Sequence, residues 1–381
     1  MKQLPGLLLR LTLLLLLLPP LHPVAGAQRL EPDYVDSSGF RVVTICEGLE
    51  HPWGLAFLPD GRMLVTERPG RLRLIEDGVL NPEPVAGLPE ITASGQGGLL
   101  DIVLHPNYRE NGWIYFSYVA FDTDGMGTRV ARARLDGMQL RDLEVLFRLN
   151  IGSMTGFHFG SRLVFDRAGF LYFTIGDRGD KDRAQRLDDH AGSVIRLHDD
   201  GRVPADNPFV GRADARPEIY SYGHRNPQGM TLHPLTGELW LHEHGPQGGD
   251  ELNLLQAGRN YGWPVITYGV NYGIGTRIGE GTHKPGMVQP IYYWVPSIAP
   301  SGMTFYDGDR FPQWRGSLFI GSLKFQLLVR LEMVDGEVVK EERLLRGQLG
   351  RIRDVRSGPE GLLYLLTDAS NGRLVRLEPD T

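Results

Sequence analysis

Between residues 223 and 264 the chain reads GHRNPQGMTLHPLTGELWLHEHGPQGGDELNLLQAGRNYGWP, with a cation, amides, histidines, acids and glycines crowded around two short apolar segments, TLHPL and ELWLHE. Glycine-rich turns let a backbone approach a ligand closely, and their carbonyls can ligate a hard cation. This stretch is therefore expected to floor a ligand and metal site. Within it, Arg225 and Asn226 set a permanent cation beside an amide on one tight turn. A planar fork of this kind suits a carboxylate or carbonyl oxygen; the competing reading is an arginine that ties loop carbonyls together. The segment HEHGPQGGDE raises zinc through His242 and His244, but it lacks the HExxH spacing, and strand alternation sets both imidazoles on one face with Glu243 on the other. Calcium suits it better, because glycine and proline carbonyls together with acids form an oxygen-only site.

Upstream, His158 lies in GFHFGSRLVF, between two phenylalanines at the entrance to a strand. A neutral imidazole in such a setting can act as a general base, and a histidine satisfied within the core is the alternative. Downstream, Arg351 and Arg353 in RIRDV alternate on a strand and so face the same way, which costs energy unless an anion lies between them. A solvated strand face is the plainer account of that pair. Lys324 in GSLK adds a third cation, and Gln96 in GQGGLLD places an amide on a loop tip. Taken together, these residues ask for a polyanionic, carbonyl-bearing ligand, a divalent cation and a base.

What positions them must come from the whole chain. Its 381 residues, 41% hydrophobic and 23% charged, have the composition of a soluble globular protein, and 49 glycines with 26 prolines imply many turns and short strands. A net charge of −6 and the lack of a basic run leave nucleic acid without an electrostatic footprint. Met1-Lys2 and Arg10 flank an apolar run at 11–18, followed by Pro19-Pro20 and Ala25-Gly26-Ala27, the pattern of a cleaved leader over residues 1–27. The run is short for a membrane span, so the expected destination is periplasmic or secreted, without stable membrane insertion; a retained N-terminal anchor is the alternative. The single cysteine, Cys46, rules out an internal disulfide and c-type haem attachment, and reads as a small buried hydrophobe.

Past residue 28 a loose unit recurs: apolar run, turn, apolar run, polar turn. Its copies start at Gly54 (GLAFLPDGRMLVTERPGRLRLI), Gly98, Ser161, Gly229, Ser301 and Asp354. Spacings of roughly 45 to 70 residues fit propeller blades with loop insertions, and each copy has the aromatic and β-branched composition of a hairpin. Third strands show as RLRLI, SVIRL and RLVRL, while no long window keeps a helical period. The expected fold is all-β: a six-bladed β-propeller forming a single catalytic domain over residues 28–381, closed by pairing the first and last blades. Ligands should sit at the mouth marked by the longest insertions, 150–160, 176–193, 242–272 and 346–354.

Nine motifs occur in order: EHPWGLAFLPDG, GQGGLLDIVLHP, HFGSRLVFD, IGDRG, YGHRNPQG, EHGPQGGDELN, NYGWP, PSGMTFY and RIRDV. They resemble the soluble aldose sugar dehydrogenases that use pyrroloquinoline quinone (PQQ), the glucose/sorbosone dehydrogenase family, over residues 40–377. The resemblance implies a six-bladed propeller with PQQ in the channel mouth. It places the base at His158, a cofactor-contacting amide at Gln96, the Arg-Asn pair at Arg225 and Asn226, and carboxylate-binding cations at Lys324, Arg351 and Arg353. The calcium beside PQQ would take main-chain oxygens of Gly245 and Pro246. A second, structural calcium would use Glu251 and the Tyr261 carbonyl, with Asn271 a further candidate. Phe157 stands where glucose-specific members carry an acid, a departure that leaves open whether a neighbouring carboxylate orients His158.

The implied reaction oxidises an aldose at its anomeric carbon to a lactone. In it His158 removes the hydroxyl proton, hydride passes to the quinone, calcium acts as Lewis acid and Arg225 steadies the oxyanion. Electrons would leave to an external acceptor, a cytochrome or a quinone. Two other classes compete: a calcium-dependent propeller lactonase or other hydrolase, and a non-catalytic sugar-binding propeller.

Overall fold

Apolar runs with hardly any alternation, LYLLT and LWLHE, form the strands Leu363–Thr367 and Leu239–Glu243, and every residue in both is buried. Strands covered on both faces have no solvent side, which removes the two-residue period. Outermost strands behave differently: Gln139–Arg148 leaves most of its side chains exposed. The structure, a computed structural model, describes residues 27–36 and 39–380. Apart from Ala27, the leader expected over 1–27 lies outside the described residues.

Six sheets, each a blade, form a β-propeller. Blade one holds Pro52–Phe57, Met63–Glu67, Arg71–Glu76 and Val79–Leu80. Blade two holds Leu99–Leu104, Trp113–Asp122, Gly125–Asp136 and Gln139–Arg148. In blade three are Leu163–Phe165, Leu171–Ile175, Ser193–Leu197 and Ile219–Tyr222. Blade four follows with Pro227–Leu232, Leu239–Glu243, Asp250–Leu254 and Tyr292–Trp294. Blade five has Pro300–Phe305, Leu318–Ser322, Leu327–Val334 and Glu337–Leu344, with Asp33–Tyr34 added in parallel at its outer edge. Blade six comprises Ile352–Ser357, Leu363–Thr367 and Gly372–Pro379, and its outer strand is Phe40–Leu49 from the other end of the chain. Closure therefore occurs inside one sheet, from Phe40 opposite Pro379 to Leu49 opposite Gly372, and not by pairing blade one with blade six.

The first strand of each blade packs against the first strands of both neighbours, so these six strands surround the axis. Four charged side chains bind them together. Arg162 Nη1 lies 3.1 Å from Asp101 and 3.0 Å from Asp354, while Arg356 reaches Asp101 at 2.6 Å and Asp354 at 2.8 Å. Arg162, Asp101 and Asp354 are almost wholly buried, where charges are tolerable only when paired in this way. Glycine keeps the spacing: a Cβ on Gly54 or Gly302 would run into Asp101 or Asp354. Between blades the core is apolar, with Leu55, Val65, Val355, Leu365 and Val375 packed in one cluster. Each such side chain contributes about 1.5–3 kcal/mol on burial. Cys46 is part of this cluster, and burial pushes its thiol up to about 11, an inert state. Among the described residues no helix is long and apolar enough to cross a membrane.

Candidate active site

The segments leading into the inner strands meet at one mouth, joined by a chain of hydrogen bonds. Gln96 Oε1 accepts from the backbone N–H of His158 at 2.9 Å. Two residues further on, Gly160 N–H donates to Asn226 Oδ1 at 3.3 Å, and Gln228 Nε2 donates to the same oxygen at 3.3 Å. Gln228 in turn accepts from Arg353 at 3.4 Å, and Arg353 and Arg351 both bind Asp368. Arg351 also donates to the Leu323 carbonyl, next to Lys324. Six of the residues singled out by sequence thus lie along one arc, although they come from blades two to six.

His158 is the most specifically held of them. Its Nδ1 lies 2.6 Å from Asp177 Oδ1, and Asp177 also accepts from Trp263 Nε1 at 2.8 Å and Gly179 N–H at 2.8 Å. Burial opposes a charge on Asp177, yet the His158 hydrogen bond and the nearby Arg225 charge hold its carboxyl below the usual range. An ionised carboxylate only accepts, so Nδ1 is the donor, and in the neutral ring the lone pair then falls on Nε2. His158 adopts φ 54°, a left-handed backbone unusual for a non-glycine residue. The carboxylate that orients the ring thus comes from the IGDRG turn, and the loss of an acid at Phe157 is immaterial to it.

His158, Asp177, Arg225, Pro246, Trp263, Asn271 and Tyr272 line a cavity of about 410 Å³, together with the turn at 179–182. Gln96, Asn226, Lys324, Arg351 and Arg353 do not line it. The Arg225 guanidinium lies 5.3 Å from the Trp263 ring, and its Nη1 donates to the carbonyls of His244 at 3.1 Å and Gly245 at 2.7 Å. Both readings of Arg225 therefore apply: it ties loop carbonyls and still faces the cavity. Lys324 is exposed, with its ammonium 5.4 Å from the Phe325 ring.

For the arginine pair the structure corrects the expectation. The anion between Arg351 and Arg353 is supplied by the protein, because Asp368 Oδ2 lies 2.7 Å from Arg353 and 3.3 Å from Arg351 while His51 grips Oδ1 at 2.8 Å. Burial works against the Asp368 carboxylate, but the Arg353 charge and the His51 hydrogen bond hold its pKa well below normal. The pair alone no longer demands a ligand. His244 lies beyond the end of its strand and donates from Nε2 to the Pro300 carbonyl at 2.6 Å, and burial pulls its ring down to about 3. His242 is fully buried with neither ring nitrogen partnered.

A second, much smaller cavity of about 10 Å³ is bounded by Arg225, Glu243, Gly245, Gly249, Glu251, Tyr261 and Thr267. That is room for one water or ion. Glu243 and Glu251 face each other across paired strands. Glu243 is satisfied by His224 at 2.8 Å and by the Arg225 N–H at 2.5 Å, whereas among the described residues Glu251 has only a 3.4 Å contact from Asn253. Burial, reinforced by Glu243, raises the Glu251 carboxyl well above its usual range. Two carboxylates sharing a closed cavity with backbone oxygens are the donor set of a hard cation.

The glucose/sorbosone dehydrogenase family model matches residues 49–376. The chain belongs to the glucose/sorbosone dehydrogenase family. Among members of the family, aldose sugar dehydrogenase YliI of Escherichia coli is 46% identical over 345 residues, covering 89% of this chain and 93% of its own. A crystal structure of the soluble aldose sugar dehydrogenase from Escherichia coli in the apo-form matches with a TM-score of 0.87 at 45% identity, over 90% of this chain and 100% of that one. A PQQ-bound aldose sugar dehydrogenase from Streptomyces coelicolor matches with a TM-score of 0.73 at 28% identity, over 90% of this chain and 98% of that one.

Within this family member, three site residues escaped the reading of the sequence: Asp177, Asp368 and Glu243. The first was visible as the acid of IGDRG, an acid set between glycines. Glu243 was visible only as the residue opposite two histidines, and Asp368, within TDASNGR, carried no signal.

Proposed function

We propose that this chain oxidises aldose sugars at the anomeric carbon to lactones, with PQQ and calcium as cofactors. The observation that carries the proposal is His158, fixed by Asp177 with Nε2 left to accept a proton, on a cavity it shares with Arg225. That cavity has the volume of a small-molecule site; Arg225 and Trp263 in its wall suit a flat anion, while Asp177, Asp180 and Asp182 line it as well. When bound, PQQ supplies a quinone that takes up hydride and calcium polarises its carbonyl. Gln96, Asn226, Arg351, Arg353 and Lys324 would contact the cofactor from the arc, Pro246 and Gly245 would offer carbonyl oxygens to its calcium, and Glu251 with the Tyr261 carbonyl would hold a second calcium.

The chain's own part in the reaction follows from its geometry. His158 Nε2 takes the proton of the anomeric hydroxyl, Asp177 keeps the ring in the required tautomer and steadies the imidazolium, and Arg225 stabilises negative charge on the sugar oxygen. The lactonase reading would need carboxylates converging on a metal in the channel; the acids of the axis are instead consumed by Arg162 and Arg356. Electrons would pass to an external cytochrome or quinone, and a periplasmic or secreted location agrees with the leader pattern.

The test is optical. Purified protein mixed with PQQ and calcium should show bleaching of the quinone absorption when glucose or another aldose is added, and should reduce an artificial dye. Unchanged absorption with every aldose, in protein shown to have bound PQQ, would sink the proposal.

A further inference from the structure

The turn Gly176-Asp177-Arg178-Gly179 does more than present Asp177. Arg178 is completely buried, adopts φ 59°, and forms no ion pair among the described residues. Its guanidinium lies 3.5 Å from the centroid of the Phe159 ring. One terminal nitrogen donates to the Phe157 carbonyl, the other to the Thr155 carbonyl at 3.1 Å and the Met126 carbonyl at 3.4 Å, while Nε has no partner. Burial, with Arg183 nearby, pulls the guanidinium down to about 9, the mark of a charge kept where it is costly. An apolar side chain would fill this space more cheaply. Nearly everything Arg178 touches belongs to one segment, residues 155–159, which carries His158.

The rest of the turn fits the same segment. A Cβ on Gly176 would overlap the His158 carbonyl, and one on Gly179 would press on Thr155. Thr155 Oγ1 donates back to the Arg178 carbonyl at 2.6 Å. On the opposite side Gln96 holds the His158 N–H. A left-handed residue such as His158 persists only where its surroundings over-determine it.

We propose that Arg178 is a positioning residue for His158: it holds the backbone of the base's loop through the Phe157 and Thr155 carbonyls while its neighbour Asp177 holds the ring. The proposal rests on the reading of His158 as the base, and its test includes a readout that does not need turnover. Crystal structures of the apoprotein would be compared for wild type, Arg178→Met, which fills the space without donors, and Arg178→Lys, which keeps the charge but grips fewer carbonyls. In Arg178→Met the His158–Asp177 contact should open from its 2.6 Å and the ring should shift. After loading with PQQ and calcium, kcat for aldoses should fall by about tenfold or more with KM changed less than about twofold, and Arg178→Lys should recover part of both.

An Arg178→Met protein that leaves His158 in place and keeps kcat overturns the proposal, even if its melting temperature drops. If Arg178→Met does not fold, Arg178→Lys decides: an undisturbed His158 with full kcat overturns it, and a displaced ring with reduced kcat upholds it. Because the crystallographic arm is read without cofactor, an inactive loaded wild type would count against the proposed function and leave this inference to stand or fall by itself.

Discussion

The axis and the mouth of this propeller use the same residue types to different ends. Around the axis, Asp101 and Asp354 meet Arg162 and Arg356, two charges of each sign, and each carboxylate is bound by both cations. At the mouth the accounts of charge stay open: among the described residues Glu251 has a single long contact, His158 Nε2 has no partner, and the Arg225 guanidinium faces a cavity while bonded to carbonyls and to no carboxylate. Balanced groups lock the inner strands to one another; unbalanced ones wait for a ligand. Arg351 and Arg353 fall between these cases, since Asp368 already neutralises part of their charge.

Breaking the mouth should abolish chemistry and spare the fold. His158→Gln should lower turnover of aldoses by about 10²–10⁴-fold, with thermal unfolding unchanged; near-normal kcat in PQQ-loaded protein would show that the base lies elsewhere. Breaking the axis should do the reverse. Arg162→Met leaves Asp101 and Asp354 short of a partner, and urea unfolding should register a loss of about 3–5 kcal/mol; a loss below about 1 kcal/mol would mean the cluster does not bind the blades.

Calcium removal tests the small cavity. Chelation should destabilise the wild type by about 2–3 kcal/mol at saturating starting calcium and leave Glu251→Gln unaffected, as read by calorimetry with and without chelator. Equal responses in the two proteins would place the cation elsewhere. The smallest effect concerns Asp368. Because its folded pKa lies below the unfolded value near 3.8, its ionised form stabilises the fold above that pH, and the benefit fades as pH falls through the folded value. Wild type should therefore exceed Asp368→Asn by about 1–2 kcal/mol at neutral pH, with the gap closing below pH 3.8 in urea titrations. A gap that widens on acidification would contradict the assignment.

Much of the fold was legible because a blade is local. Strands such as Met63–Glu67 and Arg71–Glu76 pair across short turns, so composition and spacing betray them. The arc of site residues was legible for a related reason: Gln96, His158, Arg225 and Arg351 each sit just ahead of an inner strand. What stayed hidden depends on distant pairing. Nothing near Arg353 in sequence announces Asp368, and the alternation that made His242 and His244 conspicuous turned attention away from Glu243, which faces Glu251 across the sheet. Asp177 is an intermediate case: its motif was conspicuous, but only geometry shows that its partner is His158.

The strand Phe40–Leu49 has a consequence for how the protein is made. It is synthesised long before its partner, Gly372–Pro379. Five blades can assemble from local hairpins as they emerge, but the ring cannot shut until Gly372–Pro379 has been made. Until then, Phe40–Leu49 lacks its partner strand, and its bare edge invites pairing with other chains. Removal of Gly372–Pro379 would make that transient hazard permanent, so loss of this one strand should cause aggregation out of proportion to the contacts removed.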